Sequence, residues 1–221
     1  MSKESDDTRS RPSKGGAVVK KRTRLAPETR RRQILEAALT EFSQHGFGGA
    51  SIAKIAERAG MSKANFYVHF TSKDEIFETL ITTVLDPGLG NWQPPDGVRD
   101  VKQVVDQFIE QHYDRGLGEQ TIAVLRLMIA EGHRVPELMN KWYRQTLLPA
   151  RAQQDALTRA HIGKGLVTPD VLTGNQALMM SPVLQAAVFK MVFEPAVAEQ
   201  EVAAIRDAHR DMLLRLLSGQ R

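Results

Sequence analysis

Cysteine is absent from all 221 residues. That excludes disulfides, thiolate zinc sites and a cysteine nucleophile, and it fits a cytoplasmic setting. No run of about 20 apolar residues occurs, so no membrane span is expected. The opening stretch MSKESDDTRSRPSKGG is polar and lacks the apolar centre of a secretory leader, which again leads one to expect a cytoplasmic protein. Sustained period-two alternation is missing, so no sheet is expected. Enzyme signatures are missing too. None of the 6 histidines stands in a His-Glu-x-x-His pattern, and there is no Gly-x-Ser-x-Gly elbow or P-loop. Glu131 and His133 lie two apart and diverge on a helix, as do His112 and Asp114. An enzyme, a bound metal and a cofactor are therefore not expected.

What is present is an ordinary globular balance, 42% hydrophobic and 25% charged. The net charge of +4 is unevenly spread. Residues 1–85 hold 15 Lys and Arg against 10 Asp and Glu, while residues 86–221 hold 15 against 16. The densest basic stretch, Arg9 to Arg32, is opposed only by Glu28. Composition leaves two readings open for residues 1–25: a solubilising disordered tail, or an arm that touches phosphates.

Helical periodicity begins after Pro27, a first-turn proline. Ile34, Leu35, Ala38, Leu39 and Phe42 share one face, and Gly46 is the expected stop. Ser51 caps a second helix through Ile52, Ile55, Ala56 and Ala59, ended by Gly60. Ser62 caps a short third helix, Lys63 to Phe70. Ser72 and Glu75 form a Ser-x-x-Glu capping box for a fourth. The Pro- and Gly-rich run 86–97 reads as a loop and the boundary between two parts. Further helices are expected near 98–115, 119–132, 136–161, 169–193 and 196–218. Pro136 and Pro169 fall at first-turn positions, with Thr168 as a cap. Pro149 and Pro182 should kink or interrupt their helices.

Residues 47–70 carry the function. Two short amphipathic helices joined by a tight turn make a helix-turn-helix. A B-DNA major groove admits one α-helix, so a second helix braced on the first can be inserted as a reading head. On the pattern alone, Ala64, Phe66 and Phe70 face inward, while Ser62, Lys63, Asn65, Tyr67 and His69 face outward. Lys63 suits a phosphate or guanine edge, and Asn65 suits adenine. Tyr67 and His69 can donate to phosphates. Ser51 and Lys73 sit at helix starts, where free N–H groups favour phosphate.

The stretch RRRQILEAALTEFSQHGFGGASIAKIAERAGMSKANFYVHFTSKDEIFETLI resembles the DNA-binding domain of the TetR/AcrR (tetracycline-repressor) family. The matched features are Ile-Leu-x-Ala-Ala with Phe-x-x-x-Gly-Phe, then Ile-Ala-x-x-Ala-Gly-x-Ser-Lys, then Phe-Tyr-x-His-Phe-x-Ser-Lys-Asp-Glu. Ser51 stands where Thr is frequent, and Val68 where an aromatic or His is frequent. The resemblance implies an all-α fold with three parts: a basic arm at 1–25, a helix-turn-helix DNA-binding domain at 26–85, and a helical ligand-binding and dimerisation domain at 86–221. It implies operator-DNA contacts from Ser62, Lys63, Ala64, Asn65, Tyr67 and His69, with Lys73 on the backbone. It also implies a repressor released from a palindromic operator by a small-molecule effector.

The second part is less legible. Apolar and aromatic side chains with a few polar groups suit a ligand pocket for an apolar or amphipathic effector. The candidates are Phe108, Tyr113, Met128 and His133, then Trp142, Tyr143, Met179 and Phe189. Each is equally at home in a core or interface. The last two long helices have the length for a subunit contact, and Ile205, Ala208, His209, Met212, Leu213 and Leu216 form an apolar stripe. The resemblance implies a homodimer through these helices, joined as a four-helix bundle. A nonspecific DNA-binding protein is the competing reading, and equal binding to scrambled DNA would favour it.

Overall fold

In the computed structural model, residues 26–85, 100–163 and 174–217 are described, together with Pro169. The basic arm, the loop at 86–97 and Thr168 lie outside the described residues. Among the described residues there are ten α-helices and no strand. No helix among them is long and apolar enough to cross a membrane.

The first four helices are α1 (Pro27–Gly49), α2 (Ile52–Arg58), α3 (Lys63–Phe66) and α4 (Lys73–Val84). Pro27 opens α1 as expected. The helix breaks at Gly46, whose φ of 68° only glycine adopts readily. That break swings Phe47 back against Phe42 and Phe77, with ring centroids 5.5 and 5.0 Å away. The Phe-x-x-x-Gly-Phe spacing is thus the device that mortars α1 to α4. Ile34, Phe42, Ile55, Phe66 and Phe77 meet in one buried core. This core does not stop at α4. Val124 and Leu127 belong to it as well.

Those two residues come from α6 (Glu119–Glu131), which follows α5 (Val101–Gly116). Next come α7 (Pro136–Trp142) and α8 (Leu148–Gly163), joined without a break by a π turn over Tyr143–Leu147. Pro149 explains that turn. A proline lacks an N–H to donate to the carbonyl four residues back. The register slips just before it, and the Leu148 N–H reaches Tyr143 instead. The helix is therefore locally rewound rather than interrupted.

The last two helices are α9 (Gln176–Val192) and α10 (Pro195–Leu217). α9 begins at Gln176, not at 169, because the Asn175 side chain supplies the cap by accepting from the Ala177 N–H. Pro182 sits inside α9 without ending it. The Ser181 hydroxyl donates to the Leu178 carbonyl that the proline cannot serve, at 2.8 Å. A second core joins α5, α9 and α10 through Val105, Ile109, Tyr113, Val183, Ala186 and Leu213. Within one chain, part of the α10 stripe expected at a subunit contact packs on this core. His209 and Leu213 are buried, Ile205, Met212 and Leu216 pack against them, and only Ala208 is exposed.

Candidate nucleic-acid interface

The helix-turn-helix is built from local hydrogen bonds. The Ser51 hydroxyl accepts from the Lys54 N–H, and Ser62 does the same for Asn65. Between the two helices Gly60 takes φ 66°. Its N–H reaches Glu57 and the Met61 N–H reaches Ala56, the paired bonds of a Schellman stop. The turn is fixed by backbone chemistry, with glycine where a left-handed residue is required.

α3 is shorter than expected, ending at Phe66, and single turns carry the chain on to Phe70. Phe66 and Phe70 are buried and anchor it from below. Ser62, Lys63, Ala64, Asn65 and Tyr67 are exposed together on the opposite side, with His69 half-buried beside them. Ala64 therefore does not pack inward as the pattern alone implied. One turn of helix is too short to bury a stripe, so only the two Phe rings reach the core. Val68, which the sequence reading set aside, is 76% exposed at the tip. Its methyl groups suit the thymine methyl in a major groove. The signal that could have found it is the exposure of an apolar residue between two polar ones.

Lys73 behaves differently from its neighbours. Its ammonium donates to the carbonyls of Phe47, Ala50 and Gly48, at 2.6, 2.9 and 3.3 Å. It also lies over the Phe47 ring, 4.8 Å from the centroid. An ammonium has three donors, and all three are engaged inside the protein. Lys73 thus ties the start of α4 to the link before α2. Arg31 makes a second clamp that sequence reasoning missed. It donates to the His69 carbonyl, stacks over Phe70 and pairs with Glu75. Glu75 also accepts from the Thr71 N–H and hydroxyl. The Thr71 backbone N–H, then its hydroxyl and Arg31, hold this carboxylate below its ordinary range. Glu75 thus reaches Thr71, one residue beyond the box expected from Ser72.

The residues proposed from sequence for the second domain do not come together. A cavity of about 400 Å³ lies among α4, α5, α6, α7, α8 and α9. Of the eight candidates, Met128 and Trp142 line it. Phe108 and Tyr113 are buried in the second core, and Met179 packs against it. His133 and Tyr143 are exposed. Phe189 stacks on Phe193, with centroids 5.1 Å apart. These residues are apolar enough for either fate, and only the helix arrangement decides. The lining that sequence reasoning did not single out includes Gln111, Arg115, Thr121, Arg151 and Ser181. Spacing could have found two of them, because Gln111 and Arg115 flank His112 on one face of α5. Val84 and Leu85, at the end of α4, also form part of the wall.

Near the cavity His112 donates through Nδ1 to the Phe108 carbonyl at 2.7 Å, which fixes its tautomer. Burial holds its pKa below the ordinary value. His209 meets the Tyr113 hydroxyl at 3.3 Å, and burial pushes it down to about 4. Among the described residues no group of acidic, His or Cys side chains is arranged to hold a metal.

Comparison with known proteins agrees with this geometry. Residues 34–80 match the family model described as bacterial regulatory proteins, tetR family. The chain is 29% identical over 155 residues to the HTH-type transcriptional regulator UidR of Escherichia coli, covering 68% of this chain and 75% of that protein. It is 29% identical over 151 residues to an HTH-type transcriptional repressor of Streptomyces coelicolor, covering 66% and 74%. The solved structure of Salmonella enterica GusR has the same fold, with a TM-score of 0.61 at 24% identity over 88% of this chain and 98% of that one. The head and these relatives converge: residues 34–80 form a DNA-binding domain of the tetR family, on a chain similar to bacterial HTH-type transcriptional regulators.

Proposed function

We propose that the chain is a repressor that binds a palindromic operator as a twofold dimer and is released by a small molecule in the cavity. The carrying observation is α4. Its residues Ile76, Phe77, Leu80 and Ile81 are buried in the head core, while Val84 and Leu85 line the cavity. A ligand that shifts the end of this helix moves the head with it. Ligand and operator affinities are then coupled reciprocally. On this reading Ser62, Lys63, Ala64, Asn65, Tyr67, His69 and Val68 meet the major groove, and Ser51 meets a phosphate. Lys73 acts indirectly, by holding α4 against the link.

The subunit contact falls to α9 more than to α10. Leu184, Val188 and Val192 repeat every fourth residue and are exposed, as is Phe193 beyond them. An apolar ridge of this kind marks an interaction surface. Two heads about 34–36 Å apart would then enter successive major grooves. Replacing both Val188 and Val192 with Arg should give monomers by analytical ultracentrifugation and abolish operator binding.

The direct test is fluorescence anisotropy of the chain on DNA from just upstream of its own coding sequence, against a scrambled duplex at near-physiological salt. Preference for the native duplex with two subunits per site supports the reading. Equal affinity for both, falling equally with salt, would leave only phosphate binding.

A further inference from the structure

We propose that the cavity takes an amphipathic organic anion, an apolar body that carries a carboxylate. The proposal deepens the effector reading above and rests on it. The walls are apolar through Leu125, Met128, Trp142, Met180 and Val183. The formally charged side chains among the lining residues are Arg115, in the last turn of α5, and Arg151, in the first turn of α8. Among the described residues no Asp or Glu lines the cavity.

Arg31, Arg58, Arg134 and Arg210 each sit beside a carboxylate, of Glu75, Glu41, Glu131 and Asp106 in turn. Arg115 and Arg151 have no ion pair among the described residues. Both are exposed, so their stems border the cavity while the guanidiniums reach its rim. Two like charges beside low-dielectric walls create a positive potential there. A guanidinium also presents a planar fork that matches a carboxylate with two parallel hydrogen bonds. His112, also in the lining, adds no third charge, because burial disfavours its imidazolium and outweighs the bond to the Phe108 carbonyl. The apolar body therefore lies against Leu125, Met128 and Trp142, with the carboxylate at the rim. Among the described residues a cationic ligand would meet two cations and no counter-charge. A neutral one would gain the walls but not the rim.

The chain has 2 tryptophans, so a Trp92→Phe variant of the full chain leaves Trp142 as the sole indole, set in the cavity wall. Its emission is followed while decanoate, decanol or decyltrimethylammonium is added below the micellar range. Decanoate is expected to saturate the change at least about ten-fold more tightly than decanol, with no saturable response to the cation. Adding Arg115→Gln and Arg151→Gln should weaken decanoate to the level of decanol, with the circular dichroism spectrum unchanged. If decanol or the cation binds as tightly as decanoate, or if the preference survives in the double variant, the anion assignment fails while the effector reading stands. If none of the three probes alters Trp142 emission, the effector reading fails and takes this proposal with it.

Discussion

The two halves of the chain use their apolar residues differently. In the head almost every large apolar side chain closes one core, from Ile34 to Ile81. In the sensor half the same kinds of residue are divided among a core, a cavity wall and an exposed ridge on α9. A head that must hold a reading helix in register benefits from one rigid packing arrangement. On the proposed reading, the second half must leave room for a ligand and a surface for a partner. The lesson is that packing density, more than composition, separates a positioning domain from a receiving one.

The largest expected effect tests that contrast directly. Phe77 is fully buried between Phe42 and Phe47. Phe77→Ala should destabilise the protein by about 3–5 kcal/mol. Leu125→Ala, at a half-open cavity wall, should cost only about 1 kcal/mol. Urea denaturation of both variants checks this, and equal losses would mean that the sensor half is packed as tightly as the head.

Next is the distinction between clamp and contact. Lys73→Met removes a cation that serves three carbonyls, so it should lower stability by about 1–3 kcal/mol. Lys63→Met should leave stability within about 0.5 kcal/mol. It should instead reduce the salt slope of operator binding by about 0.9. Thermal melts and a salt series on one DNA duplex separate the two. A change of slope without a change of stability for Lys73→Met would restore it as a phosphate contact.

A smaller effect compares the two left-handed glycines. Both have nearly the same φ, but a Cβ at Gly46 would lie 2.8 Å from the Glu131 carboxylate, whereas at Gly60 it would meet nothing within 4 Å. Gly60→Ala should cost about 1 kcal/mol and Gly46→Ala about 2 kcal/mol. Glu131→Ser should relieve part of the second loss and none of the first. Identical losses at the two sites would show that α6 does not press on the head at Gly46.

The smallest effect is confined to the sensor half. His209 and His112 are both held below the unfolded value of about 6.5 by burial. The unfolded chain therefore binds protons first as pH falls. The stabilisation is full above about 6.5 and is lost progressively toward 4. The urea midpoint should fall between pH 7 and pH 5, and by less in His209→Gln. An unchanged pH dependence in that variant would remove His209 as a cause.

Much of the head was legible because its signals are local. Ser51, Ser62 and Ser72 cap the helices that follow them, Gly46 and Gly60 take the left-handed turns, and Pro27 opens a helix. Each of these depends on backbone geometry within four residues. The sensor's helices were also readable, apart from the start of α9 and the rewound turn before Pro149.

Its site was not readable. Of the eight residues chosen, Met128 and Trp142 line the cavity. Whether Phe108 is core and Arg151 is lining depends on how six helices lean together, which no spacing along one helix records. By itself the sequence determined the all-α fold, the helix-turn-helix and the serines and glycines that cap and turn it. The tertiary structure alone decided where the hollow lies, that α4 joins it to the head, and that most of the α10 stripe packs on the second core while one ridge of α9 stays exposed. Local hydrogen bonds are written in neighbouring residues, whereas a cavity exists only in the space between elements far apart in the chain.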